Sequence, residues 1–283
     1  MADKKKDFSL LNSVGTTILA FFLTIPFHEF IHFLTCYIYG DRVTCYSAGA
    51  VSGVGIDISN FSDFDKIMYS GGNASIINTL IGILLLIIIL KVKKMKPTLR
   101  LFLIQLMGAQ LTTGIGYFMI GGLFGFGDWG NVFNAIGPDS GLATTLHIIL
   151  SILGCAGIVA LFFILNYLSY DFIKDPTDKK ERLKVAFKMY MPMFFIGILL
   201  GTITTFLSPA VASGDLDLMA SLLLNFMWIP FFWGFMFTWC MVKPPKKSRF
   251  LSSLPEKPNY LLYVIGLALV IIDIFVFGPG IYL

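Results

Sequence analysis

The chain has 283 residues and a net charge of +4, and 56% of its residues are hydrophobic while only 13% are charged. A soluble domain carries about 25% charged residues, so this composition excludes an ordinary soluble protein. The small positive charge suits basic loops that face anionic lipid, and it does not indicate nucleic-acid binding. We therefore predict an all-α polytopic membrane protein embedded in the lipid bilayer.

Apolar runs of about 20 residues, long enough to cross about 30 Å of hydrocarbon, recur along the chain. They predict seven membrane spans, at about 14–39, 67–90, 101–124, 142–168, 189–210, 219–242 and 260–279.

The lysines and arginines predict how these spans are oriented. Four basic clusters fall on one side of a seven-span arrangement: Lys4–Lys6, Lys91–Arg100, Lys174–Lys188 and Lys243–Lys257. Only Arg42 and Lys66 remain on the other side. By the positive-inside rule, the chain is predicted to be a multi-pass protein of the cell membrane with its amino terminus cytoplasmic and Leu283 outside.

The first predicted span contains the stretch TIPFHEFIHFLTC, residues 24–36, which places two of the three histidines and one of the three glutamates close together. His28 and His32 are four residues apart, so on a helix they share one face and can bind one zinc ion. Glu29 can then act as the base on a metal-bound water. An ionisable group in hydrocarbon costs at least ~2–3 kcal/mol, so three together indicate a compensating metal.

The segment that follows, YGDRVTCYSAGAVSGVGIDISNFSDFDK, covers residues 39–66. Its β-branched residues and regularly spaced glycines predict one or two short strands on the outer side. Cys36 and Cys45 are close enough in sequence for a disulfide there, but no metal-type cysteine spacing exists, and free cysteines are the preferred interpretation.

The next two spans carry polar and glycine-rich signals near the predicted depth of the histidines. The second opens with YSGGNASIINTLIG, where the glycine pair allows close helix approach and Asn73 supplies an amide. The third ends in LFGFGDWGNVFNAIG, where four glycines interrupt the helix around Asp128.

A catalytic zinc site usually has three protein ligands and leaves a fourth position to water. The remaining glutamates, Glu181 and Glu256, lie in predicted cytoplasmic loops. Three outer-half residues therefore stay open as the third ligand: Asp128, His147 and Asp273.

The order of these features, over residues 14–136, resembles the site-2 family of intramembrane zinc metalloproteases. The resemblance implies that His28, Glu29 and His32 are the zinc and base motif. It also implies that Asp128 is the third ligand, preferred over His147 and Asp273. Gly72 and Asn73 resemble the family's Gly–Asn element. The sequence FGDWGN replaces the family's Asn-Pro-Asp-Gly form, and the charge distribution places the site nearer the outer face than is usual there.

We therefore expect a catalytic membrane core at 1–136 and four further helices at 137–283. The expected activity is that of a zinc-dependent endopeptidase that cleaves membrane-spanning or membrane-associated polypeptides, with Asn73, and more weakly Asn131, orienting substrate or stabilising the oxyanion. The alternative is a non-enzymatic metal-binding membrane protein, such as a transporter, receptor or immunity protein. A peptidase of the prenyl-protein type is disfavoured, because that class needs a glutamate as its third ligand and this chain has none at a suitable depth.

Overall fold

The structure is a computed structural model that describes residues 7–47, 50–212, 214, 218, 235, 243–245 and 249–283. In this part of the chain, six helical segments are long and apolar enough to cross a membrane, which identifies a membrane protein: Ser9–Ile38, Asp63–Lys91, Pro97–Phe124, Gly141–Phe172, Lys179–Leu207 and Tyr260–Phe277. These segments correspond to six of the seven predicted spans. The remaining one, 219–242, lies outside the described residues except for residue 235.

The first span consists of two helices, α1 (Ser9–Phe22) and α2 (Ile25–Ile38). The break falls at 23–24, directly before Pro26 in the first turn of α2. Proline has no backbone N–H to continue the hydrogen bonding of α1, but it is well tolerated in the first turn of a new helix. The motif histidines thus lie on α2 alone.

Two short strands follow the first span, as predicted. β1 (Val43–Tyr46) pairs antiparallel with β2 (Val51–Gly53). A third strand, β3 (Ile281–Tyr282), comes from the carboxyl end of the chain and pairs antiparallel with the other edge of β1. Cys36 and Cys45 are free, as preferred from the sequence.

The second and third spans pack closely side by side. The second comprises α3 (Asp63–Ile67), a π-helical turn (Met68–Gly72) and α4 (Asn73–Lys91). The third is α5 (Pro97–Phe124), and the short helix α6 (Asp128–Ile136) follows it.

The remaining described helices complete the bundle. They are α7 (Gly141–Ser169) with a 3-10 turn at Tyr170–Phe172, α8 (Lys179–Leu207), α9 (Pro209–Ala212) and α10 (Tyr260–Ile272), which continues into a π-helical turn at Asp273–Phe277. The main apolar core lies between α5, α7 and α8, with buried side chains that include Leu101, Ile104, Met107, Leu161, Leu165 and Met189.

The basic clusters that the structure describes meet at one end of the helix bundle, which we call the basic end. Lys188 donates a hydrogen bond to Asp7, next to the start of α1. Arg100 and Arg249 both form ion pairs with Asp171, at 2.5 and 3.0 Å. The three strands lie at the other end, which we call the strand end, because β1 follows the last turn of α2.

Candidate metal centre

The two histidines of the motif face each other across one turn of α2. Their Nε2 atoms are 3.3 Å apart. His28 is buried, with 2% of its surface exposed, and His32 is partly buried. The four-residue spacing places both imidazoles on one helix face, as the sequence predicts.

Asp128 reaches these histidines from the first turn of α6. Its Oδ2 atom lies 3.0 Å from His28 Nε2 and 3.4 Å from His32 Nε2. The chain turns back into the bundle through Gly125 and Gly127, whose φ angles are +67° and +66°. Residues other than glycine rarely adopt such backbone angles, so these two glycines allow the approach of Asp128.

A glycine in the second span leaves the space that this approach needs. Gly71 has a φ of +122°, and a Cβ atom added there would lie 3.0 Å from Asp128 Cβ and 3.2 Å from His32 Cε1. The Gly71–Gly72 pair therefore allows the close contact predicted for it. The groups that approach Gly71 closely are Asp128 and His32, two members of the metal-type site.

A chain of two buried amides determines the orientation and tautomer of His28. Asn78 donates through Nδ2 to Gln110 Oε1 at 2.7 Å. Asn78 therefore presents its Oδ1 oxygen to His28 Nδ1, at 3.1 Å. His28 Nδ1 must carry the proton of this hydrogen bond, which leaves a lone pair on Nε2. Histidines that bind metals are commonly oriented in this way.

The site consequently brings together three side chains that can each offer a lone pair. The ligand atoms of His28, His32 and Asp128 all lie within 4.8 Å of one another. Asp128 Oδ2 is buried, and its polar contacts among the described residues are the Nε2 atoms of the two histidines. A cation bound between the three side chains would satisfy these atoms. Two imidazoles and a carboxylate suit zinc, and they also suit other first-row divalent metals.

A cavity of about 730 Å³ opens beside this group. Glu29, His32 and Asp128 line it, and Glu29 is buried with 6% of its surface exposed. Among the described residues, none donates a hydrogen bond to the Glu29 carboxylate. Glu29 is thus available to exchange a proton with a molecule in the cavity.

The cavity wall is formed by both halves of the chain. One side is made by α1, α2 and the β2 segment, and the other by α8 and the last described span. Tyr46 in β1 donates a hydrogen bond to the Pro26 carbonyl at 2.5 Å, which ties the sheet to the start of α2. Burial and the nearby Glu29 carboxylate raise the pKa of Tyr46 to about 12, so its hydroxyl stays a donor at neutral pH.

The two other third-ligand candidates lie apart from the metal-type group. His147 contacts the Gly122 carbonyl through Nδ1 at 3.1 Å and stacks on Phe133, with ring centroids 3.7 Å apart. Asp273 lines the cavity but is not among the atoms that converge with His28 and His32. Of the three candidates, the structure brings Asp128 to the histidines.

The structure places the predicted substrate-orienting asparagine elsewhere. Asn73 is buried and donates to Thr35 Oγ1, and it is not among the residues that line the cavity. Asn131, the weaker candidate, does line it. Three residues around His28 were not predicted from the sequence: Asn78, Gln110 and Tyr117. The Tyr117 ring stacks on the His28 ring, with centroids 4.9 Å apart. The two amides were visible as polar residues inside apolar spans, which are uncommon and usually have a specific partner.

Comparison of the chain with protein family models, characterised proteins and solved structures finds no match. The resemblance to the site-2 protease family thus rests on the residues between 14 and 136 alone.

Proposed function

We propose that this protein is an intramembrane zinc endopeptidase that cleaves membrane-spanning or membrane-associated polypeptides. The observation that carries the proposal is the convergence of His28, His32 and Asp128 next to Glu29, on a cavity inside a bundle of membrane-spanning helices. Three protein ligands with an open fourth position are typical of catalytic rather than structural zinc sites.

In this proposal each side chain has a distinct role. The imidazoles of His28 and His32 and the carboxylate of Asp128 would hold the zinc ion, which would supply a Lewis acid that activates water near neutral pH. Glu29 takes the proton of the attacking water and returns it to the leaving amine. Asn131, which lines the cavity, is the side chain best placed to hold the substrate backbone.

We further propose seven membrane crossings. Leu207, at the end of α8, lies against Gly278 at the strand end. Leu251 donates its backbone N–H to the Asp171 carbonyl at the basic end. These two residues lie at opposite ends of the bundle, as a seven-span arrangement with the span predicted at 219–242 requires. With the basic end cytoplasmic, the site lies in the outer half of the cell membrane and Leu283 is outside.

The test is cleavage of membrane-spanning peptides by purified, reconstituted protein, with products identified by mass spectrometry. Glu29→Gln should lower the rate by about 10²–10⁴-fold, since a general base typically contributes that much. The same variant should keep its metal. His147→Ala is the matched control, because this histidine packs on Phe133 away from the cavity, and it should cleave at the wild-type rate.

Two outcomes contradict the proposal. Equal cleavage rates for the wild type and Glu29→Gln would show that Glu29 is not the general base. A wild-type protein that binds metal but cleaves none of the peptides would favour the non-enzymatic alternative, a metal-binding transporter, receptor or immunity protein.

A further inference from the structure

One carboxylate in the cavity has no role in the chemistry proposed above. Asp273 lines the cavity and has 8% of its surface exposed. Among the described residues, none donates a hydrogen bond or offers a charge to its side chain. It begins the π-helical turn Asp273–Phe277, in which Gly278 donates its N–H to the Asp273 carbonyl at 2.7 Å. Such turns interrupt α-helices rarely and are frequent at functional sites.

The other acidic residues of the cavity have partners or an assigned role. Asp41 accepts hydrogen bonds from Tyr69 Oη at 2.7 Å and from the Gly55 N–H at 3.0 Å. Asp128 faces the two histidines, and Glu29 is the proposed base. In the described part of the chain, no lysine or arginine lines this cavity. Within the residues that the structure describes, Asp273 therefore remains as a buried acidic group without a counter-charge.

The surroundings of Asp273 favour a cationic ligand group. Leu269 and Val270, one turn earlier on α10, also line the cavity and offer no side-chain hydrogen bonds. The cavity-lining hydroxyl residues of the facing segment donate none to Asp273: Thr204, Thr205 and Ser208. A carboxylate buried among apolar groups is costly unless it is paired, and a charged donor forms the strongest hydrogen bonds to it. On the facing helix α8, Gly197 and Gly201 line the cavity one turn apart, and their missing side chains leave room for a ligand.

We infer that Asp273 forms a subsite for a basic side chain, so that the accepted polypeptides carry a lysine or arginine in the strand-end part of their membrane segment. The inference rests on the proposed function in that the ligand is a polypeptide. The π-helical turn holds this subsite close to the start of α2. The centroid of the Phe277 ring lies 6.0 Å from that of Phe22, the last residue of α1, and 5.8 Å from that of Tyr46, which bonds to Pro26.

The experiment measures binding rather than cleavage. Protein carrying Glu29→Gln is titrated with two fluorescent Leu–Ala peptides of about 25 residues, long enough to span the membrane. The peptides are identical except that one has lysine and the other norleucine near the end that lies at the strand side. The lysine peptide should bind at least about tenfold more tightly, a difference of about 1.4 kcal/mol.

Substitution of Asp273 should remove this preference. Adding Asp273→Asn should make the two peptides bind equally, whereas adding Asp139→Asn should not, because Asp139 is an exposed acid away from the cavity. Asp273→Lys should bind a peptide with glutamate at that position more tightly than the lysine peptide. A gain of binding of this kind cannot result from misfolding.

Several outcomes overturn the inference. They are equal binding of the two peptides before Asp273 is changed, a lysine preference that survives Asp273→Asn, and no binding of either peptide. Loss of metal in Asp273→Asn would show that this residue is a ligand instead. If the lysine preference depends on Asp273 but the wild-type protein cleaves neither peptide, the subsite stands and the proposed proteolysis is wrong.

Discussion

At the basic end of the bundle, buried charges are matched by groups of the chain itself. Arg100 is buried and donates to Asp171 through Nε at 3.0 Å and through a terminal nitrogen at 2.5 Å. Its other donors reach the carbonyls of Val92 and Ile89. Arg249 donates to the second oxygen of Asp171 at 3.0 Å.

At the strand end, the buried group of His28, His32 and Asp128 is arranged differently. There two imidazoles and one carboxylate converge, and no lysine or arginine of the described residues enters between them. The comparison indicates that the cluster at the basic end holds the helices together, while the group at the strand end has the ligand atoms to hold a metal ion.

The largest effect is expected at the proposed third ligand. Asp128→Ala should lose the bound metal and all peptidase activity, because two imidazoles alone hold a metal weakly in a site built for three ligands. His147→Ala and Asp273→Ala should keep most of their metal. Elemental analysis of the three purified variants measures this directly. Metal retained in Asp128→Ala but lost in His147→Ala would show that the ligands are three histidines.

A large effect of another kind is expected at the basic end. Asp171→Asn leaves Arg100 buried without a counter-ion, and breaking a buried pair in this way costs about 3–5 kcal/mol. The variant should unfold at a clearly lower temperature, while folded protein keeps the wild-type metal content. Asp175→Asn is the control, because this carboxylate is exposed in the neighbouring loop. Equal unfolding temperatures of the two variants would show that the cluster around Asp171 does not stabilise the fold.

A smaller effect is expected where Asn78 orients His28. Asn78→Ala should weaken metal binding by about 10–100-fold, the usual cost of removing a residue that supports a metal ligand. Competition with a chelator measures the affinity. Asn73→Ala serves as the control, since this asparagine is also buried on α4 but bonds to Thr35. If the metal affinity falls by the same factor in both variants, the hydrogen bond from His28 to Asn78 has no specific role in metal binding.

The smallest effect is expected at the partly exposed ion pair of Asp7. Burial opposes ionisation of Asp7, but hydrogen bonds from Lys188 and Ser9 outweigh it and hold the pKa of the carboxyl below its ordinary value. A lowered folded-state pKa stabilises the fold above the unfolded pKa of about 3.9, and this stabilisation is lost as the pH falls below it. Asp7→Asn should cost less than about 1 kcal/mol at neutral pH. A difference between variant and wild type that grows on acidification would contradict this account.

The sequence predicts the described spans and the strand segment because these depend on local composition. It also predicts that His28 and His32 meet, because four residues make about one helical turn. The approach of Asp128 depends on Gly71 in another span, so local spacing left three candidates open. The preference for Asp128 came from the family resemblance and from the charge of a carboxylate ligand. Strand β3, with two residues, is too short for a sequence signal.

The assignment of Asn73 shows a further limit of prediction from the sequence. The rise per residue gives the depth of a side chain in the membrane, but not the direction in which it points around the helix axis. Asn73 was predicted at the depth of the histidines, and in the structure it faces Thr35. Asn78, five residues later on the same helix, points to a different side and contacts His28 instead.

The most direct test of the central claim is the metal content of protein purified in detergent without added chelator. The account predicts about one zinc ion per chain in the wild type, as expected for a site with one set of three ligands, and almost none in the His28→Ala/His32→Ala double variant. Equal zinc in the two proteins, or none in the wild type after supply of zinc during expression, would contradict the claim that these side chains form a zinc site.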